Sequence, residues 1–128
     1  MSDLITNNES YNLFRDAINT FNAQRFYDAH EILEELWAKH KISDRIFIQG
    51  LIQVAVAFYH LKNNNLNGAR SMLKKALKKI DCDNDRIDNL KILISGLNDI
   101  LKTINLINTN KEFNWEKIPK ISIKLNEN

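Results

Sequence analysis

Three residues of one predicted helix are the side chains of this chain best suited to chemistry. His30, Glu34 and Trp37 are spaced four and three residues apart, so on a helix they lie near one line. An imidazole and a carboxylate at the edge of an apolar face cost free energy to bury unless each has a partner. The three residues therefore mark a polar site, although their types do not name a reaction.

A second apolar helix further along the chain carries matching polar side chains. Gln53 and His60 share one face of it, and antiparallel packing of the two helices would bring them to His30 and Glu34. Two imidazoles and a carboxylate, His30, Glu34 and His60, are an acceptable ligand set for a divalent transition metal. The same side chains can instead form a closed hydrogen-bond network in the core, which the sequence favours.

The neighbours of His30 define the other interpretations of this site. The pattern His30-Glu31-x-x-Glu34 lacks the second histidine of the zinc-protease motif H-E-x-x-H. Trp37 is expected to pack in the core, and the alternative is a pocket wall beside His30 and Glu34.

Two further groups of residues invite a functional interpretation. Arg70, Lys74 and Lys78 follow one another at four-residue spacing and form a basic face that could meet phosphates. No aromatic residues are interleaved with these charges, so a solvated face is favoured over a nucleic-acid interface. Cys82 lies between two aspartates, which should raise the pKa of its thiol and disfavour a nucleophilic thiolate.

Composition bounds the class of protein. The chain has 128 residues, 44% of them hydrophobic, which predicts one domain over residues 1–128 with a genuine core. A net charge of +2 is too small to imply nucleic acid or an acidic membrane surface, and the longest apolar run, 46–61, is too short to span a bilayer. The one cysteine and the lack of a secretory pattern favour the cytoplasm, or the plastid stroma if the gene is organellar.

Helical periodicity dominates the chain, and glycine and proline are scarce, so we predict an all-α bundle. Ser10 is a candidate cap of the first helix and Ser43 or Asp44 of the third, and Ile87 would open the apolar stripe of the fifth. The five helices are predicted at about 9–21, 26–40, 44–61, 66–80 and 85–106.

A tail over about 108–128 follows the last predicted helix. Trp115 is expected to dock back onto the bundle, while the last few residues fray. Ile121, Ile123 and Leu125 alternate with polar residues, which favours a short extended segment.

An internal repeat at an offset of forty residues predicts two similar helical hairpins, completed by a C-terminal helix and the tail. In each copy a helix end and a polar turn are followed by a helix that carries a small residue in its first turn. The aligned residues are Ala17, Phe21, Phe26, Ala29, Leu33 and Trp37 with Ala57, Leu61, Leu66, Ala69, Leu73 and Leu77.

Three sequence blocks resemble the signature of the domain of unknown function 309 family. The first, over 21–37, reads F-N-x-x-x-F-Y-x-A-H-E-x-L-E-x-L-W, and the second, over 50–60, reads G-L-I-Q-x-A-x-A-x-Y-H. The third contains Leu66, Gly68, Ala69 and Leu73, and the resemblance covers about 12–80.

The resemblance implies a small all-helical protein, of a kind found in bacteria, archaea and plastids, with no established activity. Family members often have glycine in the two turns at 23–25 and 63–65, where this chain has none, although asparagine tolerates the left-handed conformation. The signature residues map onto His30, Glu31, Glu34, Trp37, Gln53 and His60.

Three hypotheses for function follow. The first is a non-catalytic helical module whose polar cluster is structural or binds a small polar ligand, a protein partner or a second copy of the chain. The second is a metal-dependent or acid–base hydrolase that uses His30, Glu31, Glu34 and His60. The third, which the charge pattern favours least, is a nucleic-acid-associated protein that uses the basic face.

Overall fold

Short polar turns join apolar helices that pack against their neighbours in the chain, which makes successive helices antiparallel. The computed structural model describes residues 2–124, and side chains from residue 9 onward. Its all-α architecture confirms the predicted fold class. The helices are α1 (Ser2–Asn22), α2 (Phe26–Lys39), α3 (Arg45–Lys62), α4 (Leu66–Ile80) and α5 (Leu90–Leu106), followed by 3-10 turns at Asn110–Glu112 and Trp115–Lys117.

Helix α3 lies at the centre of the bundle, since it packs on both α2 and α4 and most of its residues are buried. It is apolar on nearly every side, as a helix covered by neighbours must be. Phe58 of α3 contacts the rings of Phe21 and Phe26 with centroids 6.0 and 5.3 Å apart, and these rings fill the core where α1, α2 and α3 meet.

Small residues let α3 and α4 approach each other closely. A Cβ atom placed on Gly50 would stand 2.6 Å from Ile80 Cγ2 and 2.9 Å from Lys79 Cβ. Those separations are well inside van der Waals contact, so only glycine fits at this point of the α3–α4 contact.

The two turns at the forty-residue offset share one backbone conformation. Gln24 in the α1–α2 turn and Asn64 in the α3–α4 turn have φ angles of 62° and 60°, both in the left-handed region. In the second turn, Asn65 accepts a hydrogen bond from the Gly68 backbone N–H at 3.0 Å and so caps α4. The expectation that asparagine sustains this turn is confirmed.

Two predicted helix starts were wrong. Helix α1 begins at Ser2, so Ser10 lies inside the helix rather than at its cap; no proline or glycine in the preceding residues interrupts the helix. Helix α5 begins only at Leu90, because Ile87 forms an isolated antiparallel bridge with Ile123 instead of a helical turn. That bridge also bears out the predicted extended segment, apart from Leu125, which lies outside the described residues.

The predicted cap of α3 has a different role. Asp44 stands at the N-cap position, yet its carboxylate makes no capping hydrogen bond. It accepts hydrogen bonds from Arg86 Nε at 2.6 Å and from Asn84 Nδ2 at 3.0 Å. Asp44 therefore ties the α2–α3 loop to the α4–α5 loop.

The C-terminal segment crosses the end of the bundle and is fastened to both repeat turns. Trp115 stacks on Phe26 with ring centroids 6.4 Å apart, which confirms the predicted docking of this side chain. Its carbonyl accepts a hydrogen bond from Gln24 Nε2 at 2.8 Å. At the other turn, Asn64 Oδ1 accepts from the Asn110 backbone N–H at 2.7 Å.

No helix in residues 2–124 is long and apolar enough to cross a membrane.

Candidate functional site

A cleft runs along the exposed side of α3, between α2 and α4. Its volume is about 470 Å³, within the range of ligand-binding clefts. We call it the α2–α4 cleft. It is lined by Glu34, Trp37, Ala38, Gln49, Ile52, Gln53, Val56 and Met72. The structure thus brings together three predicted site residues, Glu34, Trp37 and Gln53.

Trp37 is held in place by a reciprocal contact with Arg45. The indole Nε1–H donates to the Arg45 carbonyl at 3.1 Å, and Arg45 NH1 donates to the Trp37 carbonyl at 2.7 Å. The Arg45 guanidinium carbon lies 4.0 Å from the centroid of the indole ring, within cation–π range. Trp37 is therefore both core packing and a fixed wall of the cleft, so each of the two predicted interpretations holds in part.

Gln53 links the floor of the cleft to α4. Its Oε1 accepts a hydrogen bond from Lys79 Nζ at 2.9 Å. The contact places the Lys79 ammonium beside Gln53, next to the cleft lining on the side of α4.

His30 lies beyond the end of the cleft lining, with one nitrogen committed to the backbone. Its Nδ1–H donates to the Tyr27 carbonyl at 2.9 Å, which fixes the tautomer of the neutral ring. Nε2 lies 3.6 Å from Glu34 Oε2, and it can donate to that carboxylate only when the imidazole is protonated. His30 and Glu34, two of the predicted site residues, therefore lie side by side on α2, and the Glu34 side chain is 58% exposed.

His60 has a different environment at the end of α3. Its Nδ1 lies 3.2 Å from Asn65 Nδ2, an amide that can only donate, so the neutral ring carries its proton on Nε2. A Cβ on Gly68 would stand 3.0 Å from His60 Cγ. The absence of a side chain at Gly68 therefore makes room for the His60 ring.

Two exposed tyrosines separate the histidines. Ring centroids are 5.1 Å apart for Tyr27 and His30, 5.1 Å for Tyr27 and Tyr59, and 6.3 Å for Tyr59 and His60. We call these four side chains the ring row. It continues the line of the α2–α4 cleft, because Glu34 lines the cleft and also faces His30.

The geometry offers no metal centre in the part of the chain that the structure describes. Across residues 9–124 no group of three or more histidine, cysteine, aspartate or glutamate side chains is placed to hold a metal ion. The ligand set His30, Glu34 and His60 stays a prediction without geometric support, and Glu31 lies exposed on α2.

The basic face is partly occupied by structural contacts. Arg70 NH2 donates to the Ile104 carbonyl at 3.0 Å, and its NH1 donates to Asn67 Oδ1 at 2.8 Å. Arg70 therefore ties α4 to the end of α5, and the exposed charges of the predicted face are Lys74 and Lys78.

Cys82 has the raised pKa that its acidic neighbours predicted. Burial is the largest cause, and the charges of Asp83, Asp81 and Asp44 add to it. The thiol is exposed and donates to the Lys79 carbonyl, with 3.7 Å between Sγ and the oxygen. Cys82 therefore lacks the electropositive setting of a nucleophilic cysteine.

Sequence reasoning missed several residues of the site. Tyr27 and Tyr59 were in the signature blocks, but their contact depends on how α2 packs on α3. Arg45 and Lys79 were not identified as site residues, because no motif or spacing in the sequence singles them out. A usable signal was available for Tyr27, which precedes His30 by three residues and Glu34 by seven and so shares their helix face.

Residues 14–72 match the family model of a domain of unknown function, DUF309. The predicted resemblance is confirmed over this segment. The DUF309 segment contains the whole lining of the α2–α4 cleft, with Met72 at its last position, and the ring row. Helix α5 and the C-terminal segment lie outside it.

Two curated relatives match more of the chain than the DUF309 segment. An uncharacterized protein of Aquifex aeolicus is 35% identical over 94 residues, which cover 71% of this chain and 28% of the relative. The uncharacterized protein YpuF of Bacillus subtilis is 28% identical over 92 residues, which cover 70% of this chain and 52% of the relative. The chain therefore spans from about a quarter to about half the length of these relatives. No solved structure matches it.

Proposed function

We propose that the protein is a non-catalytic helical binding module whose α2–α4 cleft takes up an apolar segment of a partner polypeptide. The observation that carries this proposal is the cleft itself, with a volume of about 470 Å³ and lined on three helices. Ile52, Val56 and Met72 give it an apolar lining, and Gln49 and Gln53 add polar groups that can pair with a peptide backbone.

The Trp37 wall supports a binding role. Tryptophan is enriched among the residues that dominate protein interfaces, because it offers a large apolar area at low cost in conformational entropy. The contacts with Arg45 fix the indole before a partner arrives. Preorganisation of this kind lowers the cost of binding. A reducing compartment such as the cytoplasm suits the module, whose single cysteine is a free thiol.

The test blocks the cleft without disturbing the core. Ala38 lines the cleft and is exposed, so Ala38→Arg should fill it and leave the helix intact. Linear peptides selected from a random displayed library on the wild-type protein should lose at least tenfold in affinity for Ala38→Arg. Ser95→Arg, an exposed site on α5, is the matched control and should bind like wild type. Selection of no peptide, or equal binding to Ala38→Arg, would contradict the proposal.

One observation favours a second candidate, an acid–base hydrolase. The His30 and Glu34 side chains lie 3.6 Å apart at the surface, and the Tyr27 carbonyl orients the imidazole. Hydrolysis of simple esters or phosphoesters that His30→Ala abolishes, with unchanged circular dichroism, would favour this candidate. Loss of peptide binding in Ala38→Arg with no such hydrolysis favours the binding module.

A further inference from the structure

We propose that the partner segment is an amphipathic α-helix that lies lengthwise in the α2–α4 cleft, with basic side chains towards α2 and acidic side chains towards α4. This inference rests on the proposed function and names the chemistry of its partner. Three features of the cleft carry it: the sign of the charge on each side, the spacing of its floor, and the ring row at one end.

The α2 side of the cleft is negative at its Glu34 end, whereas the Arg45 guanidinium lies on the Trp37 ring further along this side. The Glu34 carboxylate lines the cleft and its side chain is 58% exposed. Glu31 stands three residues earlier on the same helix and is also exposed. His30 Nε2 lies 3.6 Å from Glu34 Oε2. Basic side chains of a partner would therefore be attracted to this side.

The α4 side of the cleft is positive. Lys79 Nζ contacts Gln53 of the floor at 2.9 Å. Lys75 follows the lining residue Met72 by three residues, so it lies on the same face of α4 and is exposed. The two sides of the cleft thus carry opposite charges. A helix with one basic and one acidic flank satisfies both sides, whereas a helix of uniform charge is repelled by one.

The floor has the spacing that a helix can follow. The lining residues of α3 extend from Gln49 to Val56, which is about 10 Å at 1.5 Å per residue, or two turns of a partner helix. Ile52 and Val56 are four residues apart and form the kind of row into which ridges of a second helix pack. Apolar anchors at i, i+4 and i+7 of the partner would fill this row.

The ring row extends the side of the cleft that attracts basic side chains of the partner. Tyr27 is 48% exposed and Tyr59 is 36% exposed, and their rings contact each other beyond the Glu34 end of the cleft. A lysine or arginine at the end of the partner's basic flank would lie on these ring faces, with Glu34 close by. At this end of the cleft, both the Glu34 carboxylate and the tyrosine rings therefore favour a cation.

The test uses a displayed library of 18-residue helices with a fixed apolar stripe of leucine and alanine. The positions on both flanks are randomised among lysine, glutamate and glutamine. Selection on the wild-type protein should enrich lysine on one flank and glutamate on the other. The best peptide should bind at least tenfold more tightly than its isomer with the two flanks exchanged. Random flanks, or the same sign on both flanks, would overturn the inference.

A charge-exchange variant provides the control. Glu34→Lys combined with Lys75→Glu changes two exposed residues and cancels the net charge on each side of the cleft, because Glu31 and Lys79 keep their charges. It should abolish the preference, so that the two isomers bind with equal affinity. An unchanged preference would show that the charges do not orient the partner. If unstructured peptides bind in the cleft and helical peptides do not, the proposal of a helical partner is wrong, while the proposed binding module stands. If neither class of peptide binds, both proposals are wrong.

Discussion

At the scale of single residues, a partly buried ion pair and two left-handed turn residues join distant parts of the chain. Burial of Asp44 alone would raise its pKa, but hydrogen bonds from Arg86 and Asn84, together with the charge of Arg86, outweigh burial and lower it below the ordinary value of 3.8. Gln24 and Asn64 accept the cost of a left-handed backbone, and both use their side chains to hold the C-terminal segment. Glycine in these turns would relieve the backbone and lose the contact.

The lowered pKa of Asp44 makes stability depend on acidity. The folded state binds the Asp44 proton less readily than the unfolded chain, so the contribution of this carboxylate is complete above pH 3.8. It is lost as the pH falls from there through the lower folded-state pKa. Urea unfolding at pH 7 should show Asp44→Asn to be destabilised by about 1–3 kcal/mol.

The pH dependence of that variant is the decisive measurement. The difference between Asp44→Asn and wild type should shrink as the solution is acidified below pH 4, because the wild-type carboxylate then becomes neutral as well. If the difference in the free energy of unfolding stays constant down to pH 2, the charge of Asp44 in its pair with Arg86 contributes no net stability.

At the scale of elements, a single glycine determines how closely α3 and α4 pack. Gly50 faces Ile80 and Lys79, where no Cβ can be accommodated without movement of α4. The lack of a side chain at Gly50 therefore lets α4, which forms one side of the cleft, pack closely on α3, which forms the floor. Their separation sets where Met72 and Lys79 stand relative to the cleft floor.

Adding one methyl group at this contact should therefore be costly. We expect Gly50→Ala to reduce the free energy of unfolding by about 1–3 kcal/mol despite the better helix propensity of alanine. Gly96→Ala on α5 is the matched control, since its nearest neighbour is Pro119 Cγ at 3.1 Å in the C-terminal segment, which can shift slightly. Denaturant melts of both variants check the prediction, and equal stability of the two would refute it.

Sequence periodicity located the helices well where the contacts that define them are local. Helices α2, α3 and α4 begin and end within one residue of the prediction, because polar turns and the ends of apolar stripes lie within a few residues of each boundary. The start of α5 was misplaced because Ile87 finds its backbone partner in Ile123, far along the chain. The ring row was missed for the same reason, since Tyr27 meets Tyr59 only through helix packing.

At the scale of the whole molecule, the C-terminal segment completes the core that the two hairpins begin. Trp115 stacks on Phe26 and meets Phe113 edge to face with centroids 5.1 Å apart. Phe113 and Ile118 are buried beside them. The aromatic core of the hairpins would be open to water at this end without the segment.

Removal of the Trp115 side chain should expose that core. Trp115→Ala is expected to lower the free energy of unfolding by about 2–4 kcal/mol, whereas Trp115→Phe retains a ring on Phe26 and should lose less than half as much. Thermal unfolding followed by circular dichroism compares the two. A Trp115→Ala protein as stable as wild type would mean that the segment adds nothing to the core.

The bonds from Gln24 to Trp115 and from Asn64 to Asn110 also make the two repeat turns parts of one opening unit. Detachment of the C-terminal segment releases both turns at once, although they lie forty residues apart in the chain. Amide hydrogen exchange should therefore report a single opening free energy for residues 23–25, 63–65 and 110–121. Trp115→Ala loosens the segment at one point only. It should nevertheless accelerate exchange in the distant Asn64 turn as much as in the Gln24 turn, which contacts Trp115 directly.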